Sequence, residues 1–324
     1  MKKYSHIIKP ILFLLILAII LGGLSYIFQP KNNSPEARMR DVKAHAILGE
    51  PKDTIDVIML GDSESYASYS PMEVYEDYGY TSYVMGGMAQ KIYYLYEYLE
   101  DALDKQHPKY VILETNTFFR KLSTSKKIIA VGERYVPFIK YHDRWKTLRK
   151  EDFYSKIEYT YTTPIKGYYY KDITKQVDTD IEDYMDKNNN GSYIPAEEKY
   201  YIKKIYNLCK KNNIEVIFYT APQVKNWSSE KHRETQKLAD ELGIDYIDTN
   251  KHLKEIGIDW KTDTRDKGDH VNYYGARKVS KYIGKYFYEK GTLEDHREDP
   301  KYQSWNQDYI EYRRIINDKN ITSY

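Results

Sequence analysis

The stretch Val57-Ile58-Met59-Leu60-Gly61-Asp62-Ser63-Glu64-Ser65 decides how this chain is read. Val57 to Leu60 is a short apolar run with the length and β-leaning composition of a buried strand. Gly61 ends the run, and Asp62 and Ser63 follow on the turn. A serine just past a strand's C-terminal end stands where open α/β sheets build their sites. Its hydroxyl is a weak nucleophile alone and needs a base brought from elsewhere. Asp266-Lys267-Gly268-Asp269-His270-Val271-Asn272 offers one far downstream. A small polar tripeptide after a strand is by itself an ordinary turn, so the late Asp/His cluster makes the candidate.

Outward from that serine, strand and helix patterns alternate. Met72 to Asp77 reads as a short helix broken at Gly79, and Thr81 to Met85 as a second strand ended by Gly86-Gly87. Ile92, Leu95, Tyr96, Leu99 and Leu103 recur at helical spacing, and Tyr110 to Glu114 is a third strand. Tyr200 to Cys209 is helical, Glu215 to Thr220 a strand, Lys231 to Leu242 a helix and Tyr246 to Asp248 a last short strand. Gly275 to Tyr288 is the closing helix. This alternation predicts an α/β fold with a parallel sheet covered on both faces.

Residues 118–195 interrupt the alternation and read as an inserted cap or cleft wall; residues 291–324 read as a charged, Tyr-rich surface tail. Within the insertion, Tyr141, Arg144 and Trp145 could form a sugar-stacking patch with Arg144 holding an anion. Aromatic packing with an ion pair is the alternative.

Lys2, Lys3 and Lys9 precede an uncharged apolar run from Ile11 to Phe28, long enough to cross a bilayer of about 30 Å. Basic residues before it predict a cytoplasmic N-terminus and an extracytoplasmic remainder. The run exceeds a signal-peptide core and lacks a small-x-small cleavage site, which favours an uncleaved anchor. The expected layout is therefore 1–30 cytoplasmic stub and transmembrane anchor, 31–53 linker, 54–290 α/β domain and 291–324 tail. Charge is nearly balanced, 50 basic against 48 acidic residues, so no global field argues for nucleic acid. Cys209 is the only cysteine, which excludes an intramolecular disulfide.

A serine acyl-ester enzyme needs a nucleophile, a base, a group orienting that base and donors for the oxyanion. Ser63 and His270 fill the first two roles. Asp266 and Asp269 compete for the third; neighbouring side chains of an extended stretch point to opposite faces, which favours Asp266. The backbone N–H of Ser63, that of Gly86 or Gly87, and the Asn116 amide are the candidate donors. No matching ligand set accompanies the Asp263, Asp266, Asp269 and His270 cluster, so no metal is expected.

In order, Gly61-Asp62-Ser63, a glycine after the second strand, Asn116 after the third and Asp/His before the last helix resemble the SGNH/GDSL hydrolase superfamily. The apolar N-terminus, Tyr141-His142-Asp143-Arg144-Trp145 and Asp269-His270-Val271-Asn272-Tyr273-Tyr274-Gly275-Ala276 resemble its membrane-tethered branch. That branch includes the alginate O-acetylation proteins and, more distantly, the D-alanyl transfer protein of teichoic acids. The resemblance, over residues 55–290, implies a flavodoxin-like three-layer α/β/α sandwich, the SGNH hydrolase fold. It also implies acyl-serine chemistry without metal or organic cofactor, and a multi-pass membrane acyltransferase as partner. Two departures stand out: Glu114-Thr115-Asn116 replaces Gly-x-Asn, and Lys267 holds the place three before the His where the family often has its Asp. The expected activity is transfer or hydrolysis of acetyl or a similar acyl group on a surface polysaccharide. A weakly active polysaccharide-binding or assembly factor on the same fold is the alternative, and a lipase is a third reading.

Overall fold

The computed structural model describes residues 5–178, 181–318 and 320–324; Lys2 and Lys3, part of the orientation argument, lie outside them. The chain forms two compact units, residues 43–121 with 162–324, and residues 1–42 with 122–161.

The larger unit is built on five parallel strands, β1 (Val57–Gly61), β2 (Ser82–Gly86), β3 (Tyr110–Glu114), β4 (Glu215–Thr220) and β5 (Asp245–Asp248), in the order β2-β1-β3-β4-β5. Its helices of six residues or more, among the described residues, are α1 (Ser63–Ser68), α2 (Pro71–Tyr78), α3 (Ile92–Leu103), α4 (Ala196–Lys211), α5 (Ser229–Leu242), α6 (Tyr273–Lys290) and α7 (Gln303–Asn317). Strand residues alternate between faces. Val57, Met59, Tyr110, Ile112, Ile217 and Tyr219 pack on one face with Val279, Ile283 and Phe287 of α6. Helices α3 and α4 pack together and bury Leu95, Leu99, Ile202 and Ile205. The fold is α/β, a flavodoxin-like three-layer sandwich. In this strand order the chain leaves β1 in one direction and returns past it to β3, so the ligand crevice falls between their C-terminal ends.

The edge strand β2 is covered by the segment after the smaller unit, where the Val84 N–H donates to the Lys166 carbonyl at 3.0 Å. The Lys166 ammonium is buried with both Glu50 oxygens at 2.8 Å, Asp308 as a further partner and the Trp305 ring 4.4 Å away. Trp305 and Tyr312 of α7 are fully buried, and the Tyr312 hydroxyl donates to Glu73 at 2.6 Å. Residues 291–324, expected as a surface tail, are thus partly core. The Tyr312 hydroxyl is satisfied there, whereas Trp305 contributes buried ring area and a face for the Lys166 ammonium.

The smaller unit holds the N-terminal helix Ser5–Phe28, of which His6–Phe28 is long and apolar enough to cross a membrane, with mean hydropathy 2.8. Part of the expected linker packs in the same unit: the Asn33 side chain donates to the Tyr161 carbonyl at 2.8 Å and accepts its N–H at 2.9 Å. The expected insertion divides, 122–161 joining this unit and the rest the larger one. Here the sugar-patch expectation needs correcting. Arg144 is buried, bonded to the Phe28 carbonyl and to Asp152 at 2.9 Å, and the buried Tyr141 hydroxyl donates to Met39 at 3.3 Å. Both are occupied within the unit; only Trp145 is exposed.

Candidate active site

Strand β1 ends at Gly61, where a Cβ would fall 2.6 Å from the Cβ atoms of Glu114 and Ser65, so only glycine lets the strand end pass. Asp62 then caps α1 by accepting the Glu64 N–H at 3.0 Å. Ser63 is consequently the first residue of the helix, buried, with an N–H that has no intrahelical partner by position.

His270 is delivered by a loop before α6. Thr264 braces it: the hydroxyl donates to the His270 carbonyl at 3.0 Å and accepts the Gly268 N–H at 2.8 Å. Lys267 and Gly268 both have left-handed backbones, φ +64° and +83°, and turn the chain back so that Asp266 lies beside the imidazole. The ring bridges two partners, Nε2 standing 2.9 Å from Ser63 Oγ and Nδ1 2.7 Å from Asp266 Oδ2. Asp266 Oδ1 also accepts the His270 backbone N–H at 2.6 Å. Asp269 stands off, 3.9 Å from Nδ1, and accepts instead from Asn226. Past the histidine, Asn272 caps α6 and donates to the Thr262 carbonyl at 2.7 Å, fixing the loop's exit.

These contacts set the protons. Burial alone would raise the Asp266 carboxyl; hydrogen bonds from the His270 ring and N–H, then the charges of His270 and Arg265, outweigh it and hold the group below its ordinary value. An ionised Asp266 keeps the proton on Nδ1 and leaves the Nε2 lone pair to accept from the Ser63 hydroxyl.

The oxyanion candidates are placed less evenly. The Gly87 N–H donates to the Gly61 carbonyl and the Asn116 amide to Asp62, both at a long 3.4 Å. The Asn116 backbone N–H is held by Glu114 at 2.8 Å. At Gly86 a Cβ would come within 2.8 Å of Ser65 Oγ and 3.1 Å of the Asp62 carbonyl, so the end of β2 lies against the serine turn. The Ser63 N–H is the donor without a competing helical bond, and the other contacts are long enough to yield.

Several neighbours were not picked out from sequence. Glu64 Oε1 lies 3.5 Å from His270 Nε2, and burial, then the charges of Asp62, Glu114, Asp269 and Asp266, push its carboxyl well above the ordinary range. Burial and Asp62 do the same to Glu114 at the end of β3. Arg120 Nε stands 2.5 Å from Asp62 Oδ2, an ion pair without hydrogen-bond alignment. A charged residue directly after the serine and another ending an apolar strand were the available signals. Glu64, Asp269 and His270 also place ligand atoms within 4.8 Å of one another. A cation there would draw on the imidazole that meets Ser63, so it would compete with the relay.

Neither a protein-family profile nor a curated protein matches the chain. Solved structures similar to it include the lipase/acylhydrolase from Enterococcus faecalis, at 12% identity and TM-score 0.38, covering 74% of this chain and 98% of that one. A catalytic mutant of an acetylxylan esterase from Geobacillus stearothermophilus is similar at 11% identity and TM-score 0.36, with 72% and 93% covered. A GDSL-like lipase from Bacteroides thetaiotaomicron gives 11% and 0.35, with 72% and 88% covered.

Proposed function

We propose that this chain is a membrane-anchored serine acyl-ester enzyme that moves acetyl or a similar small acyl group onto or off a cell-surface polysaccharide. The observation that carries the chemistry is the continuous relay from Ser63 Oγ through His270 to Asp266, at 2.9 and 2.7 Å. Ser63 Oγ attacks the acyl carbonyl while Nε2 takes its proton, and Asp266 stabilises the imidazolium. The tetrahedral oxyanion is met by the Ser63 N–H, joined by the Asn116 amide and the Gly87 N–H as their long contacts give way, with the Gly86 N–H as the alternative to Gly87. Collapse expels the first alcohol with the proton from His270, leaving acyl-serine. Water then resolves it in an esterase, or a sugar hydroxyl in an acyltransferase.

The apolar helix His6–Phe28 supports the anchor, and Lys9 on its N-terminal side agrees with a cytoplasmic N-terminus and an extracytoplasmic enzyme. A multi-pass membrane acyltransferase supplying the acyl group is the partner this reading calls for; no cofactor enters. The Asn116 amide turned to Asp62 favours, as second reading, a weakly active polysaccharide-binding or assembly factor.

The test is labelling of the full chain in detergent by a serine-directed fluorophosphonate, beside p-nitrophenyl acetate turnover. Both signals are expected, and both should vanish in Ser63→Ala. A native chain that neither labels nor turns over leaves the binding-factor reading standing.

A further inference from the structure

Residues 122–161 of the smaller unit are apolar on the outside. In the helix Thr124–Tyr135 only Ala130 is buried, while Ile128, Ile129, Val131 and Tyr135 stay exposed. A surface helix in water does the reverse and turns its apolar stripe inward. The pattern continues with Trp145, Phe153 and Tyr154, which are 64, 56 and 68% exposed. Among the described residues, nine large apolar side chains are exposed within 122–161, against eight in the whole of the larger unit. Such a concentration marks a contact surface.

What covers that surface follows from where it is attached. Three short helices of the segment, Pro137–Tyr141, His142–Lys146 and Lys150–Phe153, pack on the N-terminal apolar helix. Their bonds reach its last turn. Ser25 Oγ accepts the Phe138 N–H at 3.3 Å, the Tyr26 hydroxyl donates to the Ser155 carbonyl at 3.1 Å, and Arg144 donates to the Phe28 carbonyl. The Phe28 and Phe138 rings meet edge to face, with centroids 5.0 Å apart. A helix that spans a bilayer ends its last turn where hydrocarbon gives way to headgroups. The exposed side chains are therefore carried to that depth, where tryptophan and tyrosine anchor membrane proteins. Residues 122–161 also hold nine basic residues against five acidic, an excess that lipid phosphates attract.

We infer that residues 122–161 form a collar seated in the leaflet at the C-terminal end of the apolar helix, with lipid covering their exposed apolar side chains. Ile128, Val131 and Phe153 meet the upper part of the acyl chains. Tyr135, Trp145 and Tyr154 lie among the headgroups. This inference rests on the membrane-anchor reading above and adds to it, because an interfacial seat fixes the depth and tilt that a lone helix leaves free.

The test uses the full chain in nanodiscs of phosphatidylcholine and phosphatidylglycerol. Of the four tryptophans Trp145 alone is exposed, Trp227, Trp260 and Trp305 being buried, so subtracting the spectrum of Trp145→Phe isolates its emission. Lipid brominated near the headgroup end of its chains should quench that emission about twofold or more, and lipid brominated near the chain ends much less. A second probe is Tyr135→Cys carrying an environment-sensitive fluorophore. Cys209 is buried, which pushes its thiol up to about 12, so the folded chain takes the label at position 135. The label should show the same order of quenching. Two probes that neither bromolipid quenches overturn the inference and give the face to a protein partner or a second copy. Stronger quenching from the chain ends overturns it as well. Flotation with liposomes after an alkaline carbonate wash reports separately on the anchor. A chain that floats with unquenched probes loses the collar and keeps the anchor; a chain that does not float loses both.

Discussion

Asp266 holds His270 at two points, accepting the ring Nδ1–H on one carboxylate oxygen at 2.7 Å and the backbone N–H on the other at 2.6 Å. The second bond fixes the carboxylate plane, so the first fixes the ring's tautomer and aim. Asp266→Asn should therefore lower kcat on p-nitrophenyl acetate by about 10²–10⁴-fold, the range set by losing the orienting carboxylate of a triad. Asp269→Asn should change it by less than about fivefold, because it disturbs the Asn226 contact and a half-exposed charge but leaves both Asp266–His270 bonds in place. Equal damage at the two positions would assign the role to the pair.

The same bonds carry a pH signature. The Asp266 carboxyl is depressed in the folded state, so its contribution to stability is complete above the ordinary carboxylate range and is lost as pH falls through the depressed value. The difference in melting temperature between wild type and Asp266→Asn should be present at pH 7 and shrink toward nothing near pH 2.

Glu64 runs the opposite way. Its carboxyl is raised by burial and by neighbouring carboxylates, so the folded state holds a proton that the unfolded chain has released. Stability is then lost as pH rises above the unfolded value. Glu64→Gln should melt higher than wild type at pH 7 and no higher at pH 4. Ionised Glu64 would also compete for His270 Nε2, 3.5 Å away, so the glutamine variant should keep its activity further into the alkaline range.

Gly86 separates fold from chemistry. A methyl there meets Ser65 Oγ at 2.8 Å and the Asp62 carbonyl at 3.1 Å, both on the turn that carries Ser63. Gly86→Ala should cost about 1–3 kcal/mol of stability as an overpacking change. Esterase activity should fall further than that loss explains, which kinetics on the still-folded fraction would show.

Lys166→Met tests the buried charge cluster. It leaves Glu50 without its ammonium inside the protein, and removing one partner of a buried pair costs about 3–5 kcal/mol. Chemical denaturation should give a lower midpoint with the same slope.

The parallel strands were legible because local patterns determine them, and the contacts that join Ser63, His270 and Asp266 follow from where those elements end. Each strand is a compact apolar run, and Ser63 and His270 lie directly beside recognisable element ends. Even the displaced aspartate has a local cause, since Lys267 and Gly268 in left-handed conformation absorb the additional residue. What escaped depends on distant partners. Trp305 and Tyr312 look like surface aromatics in a charged tail until Lys166 and Glu73 are brought to them. Arg144 and Tyr141 look like a sugar platform until Asp152 and Met39 are found beside them. No spacing along the chain reports such partners.

The Glu50, Lys166 and Asp308 contact also sets an order of events during synthesis. The three residues are separated by 116 and 142 positions, so the first two leave the ribosome well before the third. Contacts this distant in sequence form late, because loop closure must precede any gain from them. The apolar helix precedes all three in the chain and can enter a bilayer without them. If the helix anchors the chain as proposed, the larger unit closes as a polymer tethered at one end, and its final step is the docking of α7.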